Sequence, residues 1–350
     1  VLHALYAAAG SSLTLTELAE RSGVSRPTAE EAALAIVTAG LAIETSDEMA
    51  GPRPVGRPAK RYAFRADGAF VAGIDIGGHK ILAWCADLLG RPRGSHRIDV
   101  DPELPPRQRL DAAREALRRA VRCARVAQRD VVAVGVATTG IVGGDGVVAL
   151  SADLPGWTGV DLRAELAVIG DAPVVVGNDC NLAALAEQWR GAAQDVEDVA
   201  YILAGRRIGV GLLIGGRIHS GRHGAAGEIG VLARSGWFAA LERIERGTAT
   251  RDGAYTAEFI GDFATGIAAT VLTVDPDAVV IGGGLAHAKE SLIEPLRAEL
   301  DRLCLFPVRV EASTLADESV VMGAVRIALD DASTRLFSVS GRPSPARSRT

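Results

Sequence analysis

The stretch VAGIDIGGHKILAWCADL, residues 71–88, decides how this chain is read. An apolar strand runs into Gly77-Gly78, turns tightly, and leaves as a second apolar strand. A second run, VAYILAGRRIGVGLLIGG, begins at Val199 and has the same form. Aligned, Val71 lies over Val199, Ala72 over Ala200, Ile74 over Ile202 and Gly77 over Gly205. The offset, 199 − 71 = 128 residues, far exceeds the ~20–50 residues of a solenoid repeat. Two similar lobes facing each other across a cleft would account for it. The plainer reading is two unrelated hairpins, since glycine turns between apolar strands are common. From Asp67 onward, apolar strands alternate with Ala/Leu/Arg helices, the pattern of an α/β body.

Composition narrows the classes. The chain has 350 residues, enough for two or three folding units. With 48% hydrophobic and 23% charged residues it is not a disordered chain. No apolar run reaches the ~18 residues of a membrane span, so no membrane partner is expected. Forty glycines and only 4% aromatics suit a fold with many tight backbone turns. A net charge of −5 excludes a uniformly basic nucleic-acid coat, so any DNA contact must be local. Cys85, Cys123, Cys180 and Cys304 form no CxxC pair, which disfavours a disulfide framework and fits a reducing cytoplasm. No charged-then-apolar leader opens the chain, and Val1 already falls inside a helix-like run.

Charge divides the chain early. Residues 1–48 carry seven acids and two bases, whereas residues 49–66 carry five bases and no acid. The basic stretch also holds Pro52, Pro54 and Pro58, and reads as a connector. Ahead of it, Thr16 is expected to cap a helix with Leu18 and Ala19 on its inner face. Gly23-Val24-Ser25 supplies a sharp turn. Ser25 then caps a second helix, with Pro27 in its first turn and Gly40 ending it. Helix, short glycine turn and helix make the helix-turn-helix pattern. That geometry puts Arg26 and Thr28 nearest base edges and Ser25 on a phosphate. Arg53, Arg57 and Lys60 would form a basic wing, with Arg57 of Gly56-Arg57-Pro58 reaching into a narrow minor groove. Against this stand Glu30 and Glu31, unwelcome near phosphates, and the alternative of a helical hairpin packed on the body. The expected division is 1–66 for this module and linker, 67–185 for a first lobe to which 315–330 return, 186–314 for a second lobe, and 331–350 for a disordered tail.

Four features of the body carry chemistry. Asp75-Ile76-Gly77-Gly78-His79-Lys80 ends a strand with a carboxylate and glycines, suited to a phosphate and its Mg²⁺. In VVVGNDCNLAALAEQW, a strand meets a helix at Asn178, Asp179 and Asn181. An acid and amides there suit hydroxyl recognition, with Asp179 placed to accept an alcohol proton; a simple helix cap has the same letters. In GRHGAAGEIG, Glu228 sits between glycines as a ligand acceptor or a solvated turn residue. Last, DPDAVVIGGGLAHAKESLIEPL runs a strand into Gly282-Gly283-Gly284 and a helix.

In this order, from about Val71 to Leu329, the four features resemble the ROK family of sugar kinases and sugar-responsive repressors. The helix-turn-helix in front resembles its repressor branch. The resemblance implies a two-lobe actin-like, ribonuclease-H-like ATPase fold preceded by a winged helix-turn-helix domain. It places DIGGHK as the first phosphate loop, Gly205 to Gly209 as the second, and matches LPGW at Leu154 to Trp157. It also puts Asn178, Asp179, Glu228 and Glu242 on sugar-binding positions, with Asp179 as the base of a kinase. The departures weigh on function. His79 stands where family kinases carry Thr, and Gly205 is followed by Arg206 and Arg207 where Gly-Thr-Gly is usual. These changes make Asp75, Gly77, Gly78, Gly205, Arg206 and Arg207 degenerate phosphate loops. Val231 replaces the family's zinc-binding, sugar-contacting His, and ARSGWFAALE (residues 233–242) holds no cysteine, so no zinc is expected.

The sequence therefore predicts a sugar-responsive regulator of operator DNA, most simply a repressor, whose kinase-derived body senses ligand without catalysis. A homodimer or homotetramer would match the symmetry of operators. The effector is open between pyranose, sugar phosphate and none. The alternative is an ATP- and Mg²⁺-dependent sugar kinase. A third possibility is a scaffold that binds neither DNA nor sugar.

Overall fold

The computed structural model describes residues 1–45, 60–205, 207–288 and 290–336. The amino-terminal module comprises α1 (Leu2–Ala7), β1 (Ser12–Thr14), α2 (Leu15–Ser22), α3 (Arg26–Thr38), β2 (Ala42–Thr45) and β3 (Arg61–Phe64). Strand β3 lies between β1 and β2 in a three-stranded antiparallel sheet. The cap of α2 is Thr14, not Thr16. Thr14 Oγ1 accepts from the Glu17 amide at 3.2 Å, and Glu17 accepts from the Thr14 amide at 2.7 Å, a closed capping box. Position 16 has Ala19 three residues on and could not close that box. Gly23, at φ +65°, ends α2 in the left-handed conformation, and Ser25 Oγ accepts from the Thr28 amide to start α3. Leu18, Ala29 and Ala33 are buried, while Ser25, Arg26 and Thr28 are exposed.

The first lobe follows as β4 (Phe70–Ile76), β5 (Lys80–Asp87), β6 (Pro92–Asp99), α4 (Pro106–Cys123), β7 (Val131–Thr138), β8 (Ile141–Val142), β9 (Val148–Leu150), α5 (Leu162–Glu165) and β10 (Val174–Asn178). Helix α6 (Asp179–Arg190) leads to the second lobe. That lobe contains β11 (Val199–Ala204), β12 (Ile208–Ile214), β13 (Arg217–Ile218), α7 (Trp237–Glu245), β14 (Thr250–Arg251), β15 (Ala254–Tyr255), α8 (Ala257–Val274), β16 (Ala278–Gly283), α9 (Glu290–Leu303) and β17 (Val310–Ala312). Helix α10 (Ser319–Leu336) closes the described chain.

The two large sheets run β10-β7-β4-β5-β6 and β13-β12-β11-β16-β17. In each, the first three strands in chain order form an antiparallel meander, and the last two lie parallel to the first. Strand order and sense are thus identical in the two lobes, with Val71 and Val199 near the start of equivalent central strands. The turns differ in length: the Gly77 amide donates to Lys80 O, three residues on, at 3.0 Å, and the Gly205 amide to Arg207 O, two residues on, at 2.9 Å.

Two features correct the expected boundaries. The break at 185/186 falls within α6, a single helix serving both lobes. Residues 331–336, assigned to the tail, continue α10, because Ala332 keeps its apolar face in the core. Residues 337–350 lie outside the described part.

Helix α10 lies on β4 and β7 and crosses α6, and Gly323 permits the crossing. A Cβ there would lie 1.9 Å from the carbonyl oxygen of Leu182. Around that crossing, Leu182, Ala183, Tyr201, Val320 and Ala324 form an interlobe core. A separate core joins the amino-terminal module to the first lobe: Leu5, Leu18, Tyr62 and Phe64 cluster with Val71, Trp84, Val325 and Leu329. Helix α8 is the one described helix long and apolar enough to cross a bilayer. Its Phe259, Phe263 and Ile267 are packed inside the second-lobe core.

Candidate functional site

Duplicated lobes leave a cleft of about 680 Å³ between them, and the ends of the central strands open into it. From the first lobe come Asp75 and Gly77-Gly78; from the second, Gly205, Arg207 and Glu228; and from their junction, Asn178 and Asp179. Residues distant in sequence therefore meet as the resemblance implied.

Asp75 ends β4 and is only 5% exposed. Burial pushes its carboxyl up to about 6, with Asp317 adding to the rise and Lys80 opposing it. Asp179 opens α6. Burial, then the charge of Asp75, pushes it up to about 7, although the Cys180 amide donates to its Oδ1 at 2.8 Å and offsets part of the rise. Burial also raises Glu228, and Asp153 adds to the effect while Arg207 opposes it. Acids whose carboxyls burial raises, gathered in one cleft, are the pattern of a functional site.

Asn178 turns out to be the α6 cap. Its Oδ1 accepts from the Asn181 amide at 3.1 Å, and its Nδ2 donates to Gly140 O at 3.0 Å and to Asp179 Oδ1 at 3.1 Å. The side chain thus orients Asp179. Asn181 is buried and accepts from the Leu212 amide at 3.2 Å, tying α6 to β12.

Glu242 departs from expectation. It does not line the cleft; it is exposed on α7 and pairs with Arg246 at 2.7 Å. Its neighbour Leu241 lines the cleft instead, so one step around the helix turns the carboxylate to solvent. Arg207 forms an ion pair with Asp153 across the cleft, and Thr139 Oγ1 donates to the same carboxylate at 2.9 Å. Arg206 lies outside the described residues.

Sequence reasoning passed over Asp153, Thr139 and Arg109. Arg109 is fully buried: Nη1 donates to Gly77 O at 2.6 Å, and Nη2 to Asp101 O at 2.9 Å and Pro102 O at 3.0 Å. It holds the first loop from behind. Its signal was its phase, since Arg109 shares the inward face of α4 with Ala113, Ala116, Leu117 and Ala120. Trp157 and Trp237 are both core residues, with indole N–H groups donating to Thr138 Oγ1 at 2.9 Å and Phe263 O at 3.0 Å. Val231 is 72% exposed. With Val231 in that position and no cysteine in 233–242, the residues present do not fit a structural zinc site.

On the amino-terminal module, Ser25, Arg26 and Thr28 stand together at the exposed start of α3. Lys60 pairs with Glu44 at 3.0 Å. Arg53 and Arg57 lie outside the described residues.

Comparison with known proteins places this architecture. A putative xylose repressor of Caldicellulosiruptor sp. is 26% identical over 313 residues, 75% of this chain and 78% of that protein. A glucokinase of Streptomyces coelicolor is 26% identical over 312 residues, 73% of this chain and 96% of that enzyme. Among solved structures, a ROK family transcriptional regulator, a homologue of the E. coli MLC protein, superposes with a TM-score of 0.68 at 20% identity. The match covers 93% of this chain and 94% of the regulator. The ROK family profile matches residues 71–235 and 245–331. With that match covering most of the body, and with two lobes of one topology around an acidic cleft, the chain belongs to the ROK family and has its actin-like sugar-kinase fold.

Proposed function

We propose that the protein is a sugar-responsive, DNA-binding transcriptional repressor whose cleft senses ligand without phosphorylating it. One observation carries the reading: the exposed start of α3, bearing Ser25, Arg26 and Thr28, follows a turn-linked helix and is joined through a shared core to a lobe of the sugar cleft. With β1, β2 and β3, these helices have the parts of a winged helix-turn-helix. The likeness to the regulator over 93% of this chain supports it, since that span reaches into the amino-terminal module. On the phosphate side, Arg207 is engaged with Asp153, and the Gly205 amide is spent within its own turn. Both features disfavour a cradled triphosphate. A sugar contacting Asp179 and Glu228 would bias lobe closure, and in a dimer the change would alter the spacing of two DNA heads.

Electrophoretic mobility shifts on DNA flanking the protein's own gene test this reading. Specific binding should weaken steeply between about 50 and 200 mM salt. Arg26→Ala should relax preference at one base position by ~1–3 kcal/mol, whereas Arg57→Ala should weaken all sequences alike. Folded protein that binds no fragment would end the regulator reading.

The second reading, an ATP-dependent sugar kinase, is favoured by Asp179, whose carboxyl lies near neutrality as a general base requires. In that case Asp75 would serve Mg²⁺. Hexose-dependent ATP turnover that disappears in Asp179→Asn would establish it.

A further inference from the structure

We infer that α6 is a lever between the cleft and the amino-terminal module, and that Trp189 and Arg190 at its far end are the joint through which lobe movement turns α3. The inference rests on the repressor reading, for which it supplies the route that joins ligand to DNA.

Helix α6 begins in the cleft, where Asn178 caps it and Asp179 lines the cavity. Its first turn is fixed to the second lobe. Asn181 Oδ1 accepts from the Leu212 amide at 3.2 Å, and a Cβ on Gly211 would lie 2.0 Å from Cys180 O. At Leu182 the helix crosses α10 of the first lobe, backbone against backbone at Gly323. Seven residues on, the Trp189 indole lies over Gly90 in the turn between β5 and β6. A Cβ on Gly90 would lie 2.3 Å from Trp189 Cη2 and 3.0 Å from its Cζ2. Arg190 grips the same turn: its guanidinium, 4.0 Å from the centre of the Trp189 ring, donates to Leu89 O and, at 3.1 Å, to Gly90 O.

From that turn, backbone contacts lead step by step to α3. The Leu88 amide donates to Ala66 O at 2.9 Å, the Arg65 amide to Leu41 O at 3.0 Å, and the Leu41 amide to Ile36 O at 3.0 Å in the last turn of α3. A Cβ on Gly68 would lie 2.3 Å from Gly40 O, so the segment after β3 also abuts the end of α3. Trp189, Leu88 and Leu89 pack in the core that holds Leu41 and Tyr62. A module resting on the first lobe alone would not have in its core a side chain from a helix fixed to the second lobe. At ~1.5 Å of rise per residue, Asp179 stands ~5 Å to one side of the Leu182 crossing and Trp189 ~10 Å to the other. A tilt about that crossing moves the joint about twice as far as it moves Asp179. Tight packing along both arms transmits the displacement instead of absorbing it. The ion pair of Asp153 with Arg207 bridges the lobes across the cleft and sets the resting tilt.

Hydrogen–deuterium exchange of the full-length protein, read by peptide mass spectrometry, tests the lever. Arg207→Ala breaks the interlobe pair. It should speed exchange at least about threefold in the cleft and also in peptides carrying the Leu41, Arg65 and Leu88 amides. Trp189→Phe removes the ring atoms that lie over Gly90 and keeps an aromatic side chain in the core. In that background Arg207→Ala should still loosen the cleft but leave the three module peptides unchanged, the non-additivity of a shared route. Arg190→Ala gives the same cycle through the other half of the joint, should Trp189→Phe fail to fold. An Arg207→Ala effect that reaches the module equally with and without the joint overturns the inference. So does an effect confined to the cleft, or none anywhere. Mobility shifts with the same variants separate this from the repressor reading. The expected exchange pattern in a protein that binds no DNA fragment ends that reading and leaves the lever; DNA binding without the pattern does the reverse.

Discussion

Gly323→Ala should destabilise the body by on the order of 3 kcal/mol, a large effect for one added methyl. The new Cβ would lie 1.9 Å from Leu182 O, with helix backbone on both sides and no side chain free to give way. Helices α6 and α10 would have to separate, loosening the interlobe core around Leu182, Val320 and Ala324. Gly261→Ala is the control. It too is a glycine inside a helix, α8, but its added Cβ meets nothing within 4 Å. It should stabilise by ~0.4–1 kcal/mol through helix propensity and a less flexible unfolded chain. Urea midpoints of the two variants should therefore move in opposite directions. Equal midpoints would mean that the α6–α10 crossing is not a tight contact.

Asp179→Asn should stabilise the protein, and by an amount that depends on pH. In the unfolded chain this carboxyl ionises near its ordinary value of 3.8; in the fold it is pushed up to about 7. Between those values the unfolded state gives up a proton that the folded state keeps. Wild-type stability therefore falls as pH rises from about 4 to about 7, by ~1.4 kcal/mol for each step of one in pH, and then levels off. The asparagine variant lacks this titration. It should match wild type near pH 4 and exceed it by on the order of 2–4 kcal/mol at pH 8. Thermal melts at the two pH values provide the measurement. A stability difference that does not change with pH would show that Asp179 is ionised throughout. The same substitution should weaken sugar binding, the usual exchange of stability against function at a strained polar site.

How much of this was legible in the chain depended on whether a feature is local and periodic. The paired strand-turn-strand runs at Val71 and Val199 are both, and they disclosed the duplicated lobes. The α2 cap was misplaced because Thr14 and Thr16 both stand within two residues of the helix start at Leu15, and only the partner three residues on, Glu17, distinguishes them. Glu242 was carried by sequence register, but the phase of α7 points it away from the cleft. Asp153 was passed over although it immediately precedes Leu154 of the LPGW stretch. A lone loop acid has no period, and its partner Arg207 reaches it only after the second lobe has folded across. Arg109 was legible in principle, as a charge lying in the apolar phase of a helix.

The core that unites the amino-terminal module with the first lobe has a thermal consequence. Leu5, Tyr62 and Phe64 cannot lose their packing without exposing Val71, Trp84 and Leu329. The module therefore has no melting temperature of its own and should disappear in the same calorimetric peak as that lobe. A protein assembled this way cannot shed its amino-terminal module under heat while the adjoining lobe survives; both persist or both are lost.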